Sequence, residues 1–375
     1  MRKRGGDRPV AGACRGFAWA RGRPLVALVA AFIASCSSIG PGSVTRDRAQ
    51  YVDAISESWK RQTLLNIVKL RYLDPPIFLD IGQIVSGYSL ESGVTAGGTL
   101  AETTAVGGDT FTLNGTAKLT DRPTVTYTPL TGNKFIRALM TPLPPTAVFF
   151  MIQSGWAADD ILFASAATLN GLKNQESSAS GVAPPDPDFM RVLALLRKIQ
   201  VSGAVAVHVV EDTRKEQATI VTFRARGITD ETLADIREVR RLLNLDPDAT
   251  ELRLVYGATA SNDHEIAVLT RSALHIMNAM APQVDVPEED IRNGRVPPGL
   301  DSLPDAADRP RLVSIRSGPA RPEDAYAAVA YHGRWFWIAD NDLRSKRAFA
   351  FMMLLFTLAD TGERDMLPLL TIPAQ

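Results

Sequence analysis

The chain has 375 residues, 45% hydrophobic and 22% charged, which excludes wholesale disorder and allows one large or two ordinary domains. Its formal charge of zero hides an asymmetry: residues 1–35 hold seven of the 41 basic and one of the 41 acidic residues, leaving 34 against 40 beyond them, a net of −6. A mildly acidic body has no basic stripe with which to displace counterions, so no nucleic-acid partner is expected.

Arg2, Lys3, Arg4, Arg8, Arg15, Arg21 and Arg23 precede an uninterrupted apolar run over 25–33. That is the order of an export signal, and the run is too short for a membrane span of ~20 residues. It closes on Ile33-Ala34-Ser35-Cys36, which resembles the lipobox of bacterial lipoprotein precursors, the substrate of the lipoprotein signal peptidase. The resemblance implies a signal peptide at 1–35 and a mature chain beginning at Cys36, with diacylglycerol on its sulfur and a fatty acid such as palmitate on its nitrogen. At ~0.8 kcal/mol per buried methylene, three acyl chains would hold the protein firmly to a membrane. Ser37 stands where an aspartate would retain such a protein at the inner membrane, so the resemblance implies the outer membrane, with the body facing the periplasm. Cys14 would leave with the signal and Cys36 would carry lipid, so no disulfide and no cysteine-held metal is expected. A lipidated tether is expected over 36–45.

A first folded region is expected over 46–175. Tyr51, Ile55, Trp59, Leu64, Ile67 and Val68 recur at helical spacing over 45–73, until Asp74-Pro75-Pro76 stops the pattern. This helix would cover a sheet or meet a partner helix. Residues 77–129 are rich in Gly, Thr and Ser and alternate with a period of two, which predicts strands. On the ascending limb Tyr88, Leu90 and Val94 share one parity; on the descending limb Phe111, Leu113 and Leu119 share one, with Thr, Asn and Lys between. Pairing the limbs so that positions sum to 209 sets Leu90 opposite Leu119 and Glu91 opposite Lys118. The 86–120 hairpin could lay its apolar face on a core, or several copies could each donate one hairpin to a shared membrane barrel, since a lone hairpin cannot close its edges in lipid. The second arrangement is similar to that of the curli secretion lipoproteins, a family with which the chain shares no motif.

Helices are expected over 134–140, 146–154 and 157–169, and a Ser/Gly/Pro-rich linker or surface loop over 176–187. A second region, 189–375, alternates in kind. Helices are expected over 189–200, 229–243, 270–280 and 343–358. Strands are expected over 204–210, 218–223, 251–256, 265–269, 311–316, 325–331 and 335–339, and a long proline-rich loop over 281–310. Adjacent strand pairs with interspersed helices define an α+β fold.

No Gly-x-Ser-x-Gly elbow, His-Glu-x-x-His or phosphate loop occurs, so no catalytic residue, metal site or cofactor is expected. His208, His264, His275 and His332 are scattered. The densest group of capable side chains is at 331–347, where Trp335 and Trp337 share a strand face and Asp340, Asp342 and Arg344 come shortly after. It reads either as an aromatic and charged groove for a glycan or peptide, or as a hairpin with a helix N-cap. The expected function is that of a non-enzymatic outer-membrane lipoprotein that binds an envelope protein partner or scaffolds envelope assembly. The alternatives are an oligomeric pore or export channel built on the hairpin, and an envelope hydrolase with a cryptic site.

Overall fold

The computed structural model describes residues 41–85, 88–99, 110–121, 124–131, 133–178, 181–211, 217–224 and 227–359. The lipobox, Cys36 and the hairpin tip at 100–109 lie outside the described residues. The chain divides into two compact units, Met1–Ile55 with Gln83–Val125, and Ser56–Gly82 with Thr126–Gln375.

Helix α1 (Pro41–Arg71) begins inside the expected tether and passes from the first unit into the second. Lys69 and Arg71 in its last turn complement the helix dipole, and Leu73 adopts φ +63° before the prolines end it. Strands β1 (Phe78–Val85) and β4 (Thr124–Leu130) form one two-stranded sheet, and β2 (Tyr88–Thr99) and β3 (Thr110–Asp121) another. The β2–β3 ladder pairs Tyr88 with Asp121, Leu90 with Leu119, Glu91 with Lys118 and Thr99 with Thr110. Every pair sums to 209, the register that alternation requires. Glu91, Thr95, Thr112, Asn114, Thr116 and Lys118 are exposed, and the Thr112 and Thr116 hydroxyls donate to the Gly97 and Gly93 carbonyls across the ladder. The structure fixes only the backbone register of Tyr88, Leu90, Val94, Phe111, Leu113 and Leu119; their side chains lie outside the described part.

In the second unit, two amides one helical turn apart on α1 hold β1 by its backbone. Gln62 exchanges hydrogen bonds with the Leu79 N–H and carbonyl (2.7 and 3.1 Å), and Asn66 does the same with Ile77 (3.0 and 2.8 Å). Helices α2 (Asn133–Met140), α3 (Pro145–Gln153) and α4 (Ala158–Ser165) come next. The helix expected over 157–169 ends at Ser165, whose hydroxyl turns back to the Ile161 carbonyl. Residues 166–169 are instead strand β5 (Ala166–Leu169), drawn out by pairing with β12 (Glu265–Thr270). Asn170 and Gly171, both at positive φ, turn the chain into β6 (Leu172–Lys173). The expected linker is a small hairpin, β7 (Glu176–Ser178) and β8 (Gly181–Ala183), and it lies inside the second unit rather than between domains.

Helix α5 (Pro187–Val201), strands β9 (Val205–Glu211) and β10 (Gln217–Phe223), helix α6 (Asp230–Leu242) and strand β11 (Glu251–Tyr256) lead to β12. Six strands form a mixed sheet in the order β6-β5-β12-β11-β10-β9. β11 pairs parallel with β12 although only the short return over 257–264 joins them. Val207, Val221, Leu252, Leu254, Ile266 and Val268 are buried on the sheet face that α3 packs against, while Ala206, Glu251 and Arg253 on the opposite face are exposed. The architecture is α+β, as the interspersed pattern predicts.

Thr270 ends β12 with its hydroxyl on the Leu143 carbonyl, and helix α7 (Ala273–Met280) follows. Neighbouring Arg271 is 2% exposed and donates to the carbonyls of Phe163, Ala164 and Gln175; burial lowers its pKa to about 10. The loop over 281–310 carries the short helix α8 (Glu288–Arg292), and α1 pins it from beneath. Buried Arg71 donates to the Pro297 carbonyl at 2.6 Å. At Gly299 any Cβ would come within 2.7 Å of that guanidinium, so only glycine fits.

The strand expected over 311–316 shrinks to β13 (Arg316–Gly318), because the Leu312 and Val313 amides bond to Gln283 and the Ser314 amide to Ser345 instead of to a ladder. β14 (Ala325–Tyr331), β15 (Arg334–Ala339) and α9 (Leu343–Ala359) are the last of the described elements. No described helix is long and apolar enough to cross a membrane.

Candidate functional site

The three-stranded sheet β13-β15-β14 is two-sided by alternation. Phe336 and Ile338 are fully buried, with Ala327 and Val329 beside them, and Tyr72 packs edge-on to Phe336 at 6.2 Å. The other parity carries Trp335 and Trp337, both half-buried, with Ala330 and Ala328 opposite them on β14 and Gly318 and Arg316 opposite them on β13. Three of these four neighbours are small, which leaves the two indoles and Arg316 as the bulk of that face. A Cβ at Gly318 would lie 3.1 Å from the Trp337 ring, so glycine gives the indole room for a close approach to β13. The Arg321 guanidinium sits 5.6 Å from the Trp335 ring, within cation–π range.

Trp337 lines a cleft of about 490 Å³ together with Arg316, Glu323, Asp324, Asp340 and Asn341. The Lys346 ammonium meets Asp340 Oδ1 at 2.7 Å and the Asp340 carbonyl at 3.0 Å. Glu323 and Asp324 are exposed and have no ion-pair partner among the described residues. The cleft is therefore acidic overall, with one aromatic wall and one arginine.

The structure brings together Trp337 and Asp340, and sets Trp335 two positions along on the same face. It separates Asp342 and Arg344 from them. Asp342 accepts from the Ser345 N–H at 3.1 Å and the Ser345 hydroxyl at 2.5 Å, as the N-cap of α9, and Arg344 is exposed on the first turn. Arg316, Glu323 and Asp324 were missed by sequence reasoning. They come from an edge strand and a loop distant along the chain from Trp337, and no local spacing links them.

At the far end of the sheet, His332 (φ +46°) and Gly333 (φ +75°) make the tight β14–β15 turn. Tyr331 donates to Asp74, and burial together with that carboxylate pushes its hydroxyl up to about 12. Tyr72 donates to Asp290 at 2.9 Å and is likewise raised, by burial first and the carboxylate second. Both phenols stay neutral hydrogen-bond donors: Tyr331 ties the sheet to the segment after α1, and Tyr72 ties the end of α1 to α8.

One histidine acquires partners that its spacing did not foretell. His264 lies between two carboxylates, Nδ1 at 2.8 Å from Asp263 and Nε2 at 3.3 Å from Asp246, and the three groups offer ligand atoms within 4.8 Å of one another. Both ring nitrogens already face an anion, which makes the trio an exposed charge latch between the 243–250 loop and the 261–265 return. The hydrogen bond to Asp263 and the charges of Asp263 and Asp246 raise the imidazole pKa.

Comparison with family models, with curated proteins and with solved structures finds no match to this chain.

Proposed function

We propose that the chain is an outer-membrane lipoprotein, anchored through lipid on Cys36 and facing the periplasm, that binds an envelope protein partner without catalysing a reaction. The observation that carries the binding role is the Trp337 cleft, where an indole wall stands beside Glu323 and Asp324, two carboxylates with no partner of their own among the described residues. Aromatic side chains at the centre of a recess and charges at its rim are the usual anatomy of a protein-binding hot spot. The acidic balance favours a basic extended segment as the occupant.

A photo-crosslinking amino acid placed at position 323 should yield one discrete adduct with an envelope protein, and the adduct should disappear when Trp337→Ala and Asp324→Lys are added. An adduct pattern indifferent to both changes would sink the proposal. An adduct between two copies of the chain would replace a separate partner with a homo-oligomer.

The β2–β3 ladder supports a second reading, an oligomeric pore. Each strand is 12 residues, slightly more than the ~9–11 of a tilted membrane strand, and among the described residues no third strand pairs with either edge. Isolated two-stranded hairpins are marginal in water, so donation of this one to a shared barrel would give its edges partners. Negative-stain images of detergent-extracted protein should then show rings with a lumen; particles the size of one chain argue against it.

A further inference from the structure

A second cleft, on the helical side of the second unit, is built around Trp156. Gly155 at φ +104° turns the chain out of α3, and the side chain of Gln200 on α5 braces that turn from both sides. Its amide nitrogen donates to the carbonyls of Ile152 and Trp156, both at 2.6 Å, and its oxygen accepts from the Ala158 N–H at 3.0 Å and from Arg197 at 2.7 Å. One glutamine thus satisfies the backbone before and after the turn and holds Trp156 in place. The indole packs 6.1 Å from Phe351 and, with Ile161 and Ala348, closes the floor of the recess.

Above that floor lies an open cleft of about 450 Å³, within the ordinary range of small-ligand sites. Its rim is two acid–base pairs. Asp159 and Asp160, consecutive in the first turn of α4, face Arg197 of α5 at 3.9 Å and Arg347 of α9 at 3.1 Å. The Arg197 contact is too long for a hydrogen bond, and no donor among the described residues bonds to the Asp159 carboxylate, whose side chain is 44% exposed at the rim of the cleft. A partly exposed carboxylate at the rim with no hydrogen-bond donor of its own is free to accept from a ligand hydroxyl.

The charges identify the ligand class. Two acids against two bases leave the rim neutral, so an ionic ligand would have to displace one member of a pair, whereas a polyhydroxylated neutral ligand can donate to Asp159 and accept from the arginines at once. A pyranose ring also presents an apolar C–H face of the right size to cover an indole. We propose that the Trp156 cleft binds a neutral saccharide ring. This site is independent of the Trp337 cleft and of the partner proposed for it.

The test titrates the detergent-solubilised full chain with chitotetraose, cellotetraose and maltotetraose, with tryptophan fluorescence and heat as the signals. At least one should bind with a Kd of about 1 mM or tighter. Asp159→Asn, which keeps shape but weakens the acceptor, and Arg347→Gln should each weaken binding about tenfold with the far-UV spectrum unchanged. Trp337→Ala should leave the affinity intact. No response to any of the three sugars up to about 10 mM overturns the proposal. So does binding that survives Asp159→Asn and Arg347→Gln or is lost with Trp337→Ala.

Discussion

The β2–β3 hairpin and the β13-β15-β14 sheet are both small antiparallel assemblies with one exposed face, yet they rest on different physics. In the sheet, the face opposite Trp335 and Trp337 is Phe336 and Ile338, both fully buried, so packing holds the strands and leaves the outer face half-exposed. In the hairpin, the ladder is long and its polar face of Thr, Asn, Glu and Lys is exposed. Register there sets Leu90 opposite Leu119 and Glu91 opposite Lys118, and among the described residues no third strand supports it. A buried inner face fixes the place of the sheet in the core as well as its register, whereas for the hairpin the described residues fix the register.

Four changes would sharpen or break this contrast. The largest is Phe336→Ala, which removes the side chain on which the Trp sheet rests and should cost about 3–5 kcal/mol in urea unfolding. A loss below about 1 kcal/mol would mean that the sheet is not held by its inner face. Asn66→Ala strips Ile77, the residue before β1, of two backbone hydrogen bonds from a residue only 1% exposed, and about 1–3 kcal/mol should go with them. Glu91→Lys sets like charges opposite one another across the ladder and should loosen it by only about 0.2–1 kcal/mol. That change should appear as faster amide exchange in β2 and β3, with the unfolding of the second unit unmoved; a shift of the whole transition would contradict the separateness of the two ladders.

The smallest effect concerns His264. Its folded pKa is raised above the ordinary imidazole value of 6.5, so the stabilising ion pairs are fully present below that value and vanish as pH rises through the folded one. Thermal midpoints of the wild type and of His264→Gln should differ at about pH 6 and converge by about pH 9, and a gap that widens with pH would have the wrong sign.

Alternation and helical spacing made most elements legible, including the hairpin register to the residue, because both reflect side-chain position along one segment. The features that stayed hidden depend on contacts between segments. Residues 166–169 read as the end of a helix until pairing with β12 pulled them into the sheet, and 311–315 read as a strand although Gln283 and Ser345 take their amides. Trp337 and Asp340 were visible as neighbours in sequence, and the cap at Asp342 was the other reading of the same run. Arg316, Glu323 and Asp324, like the Asp159–Arg197 and Asp160–Arg347 pairs around Trp156, join distant elements and leave no local trace.

The central claim is that lipid on Cys36 tethers a binding body to the envelope, and metabolic labelling with an alkyne analogue of palmitate tests it most directly. The wild-type chain should take up label, fractionate with outer membranes and resist extraction by high salt, while Cys36→Ser should be unlabelled. Label on the Cys36→Ser protein, or an unlabelled wild type found free of membranes, would contradict the account.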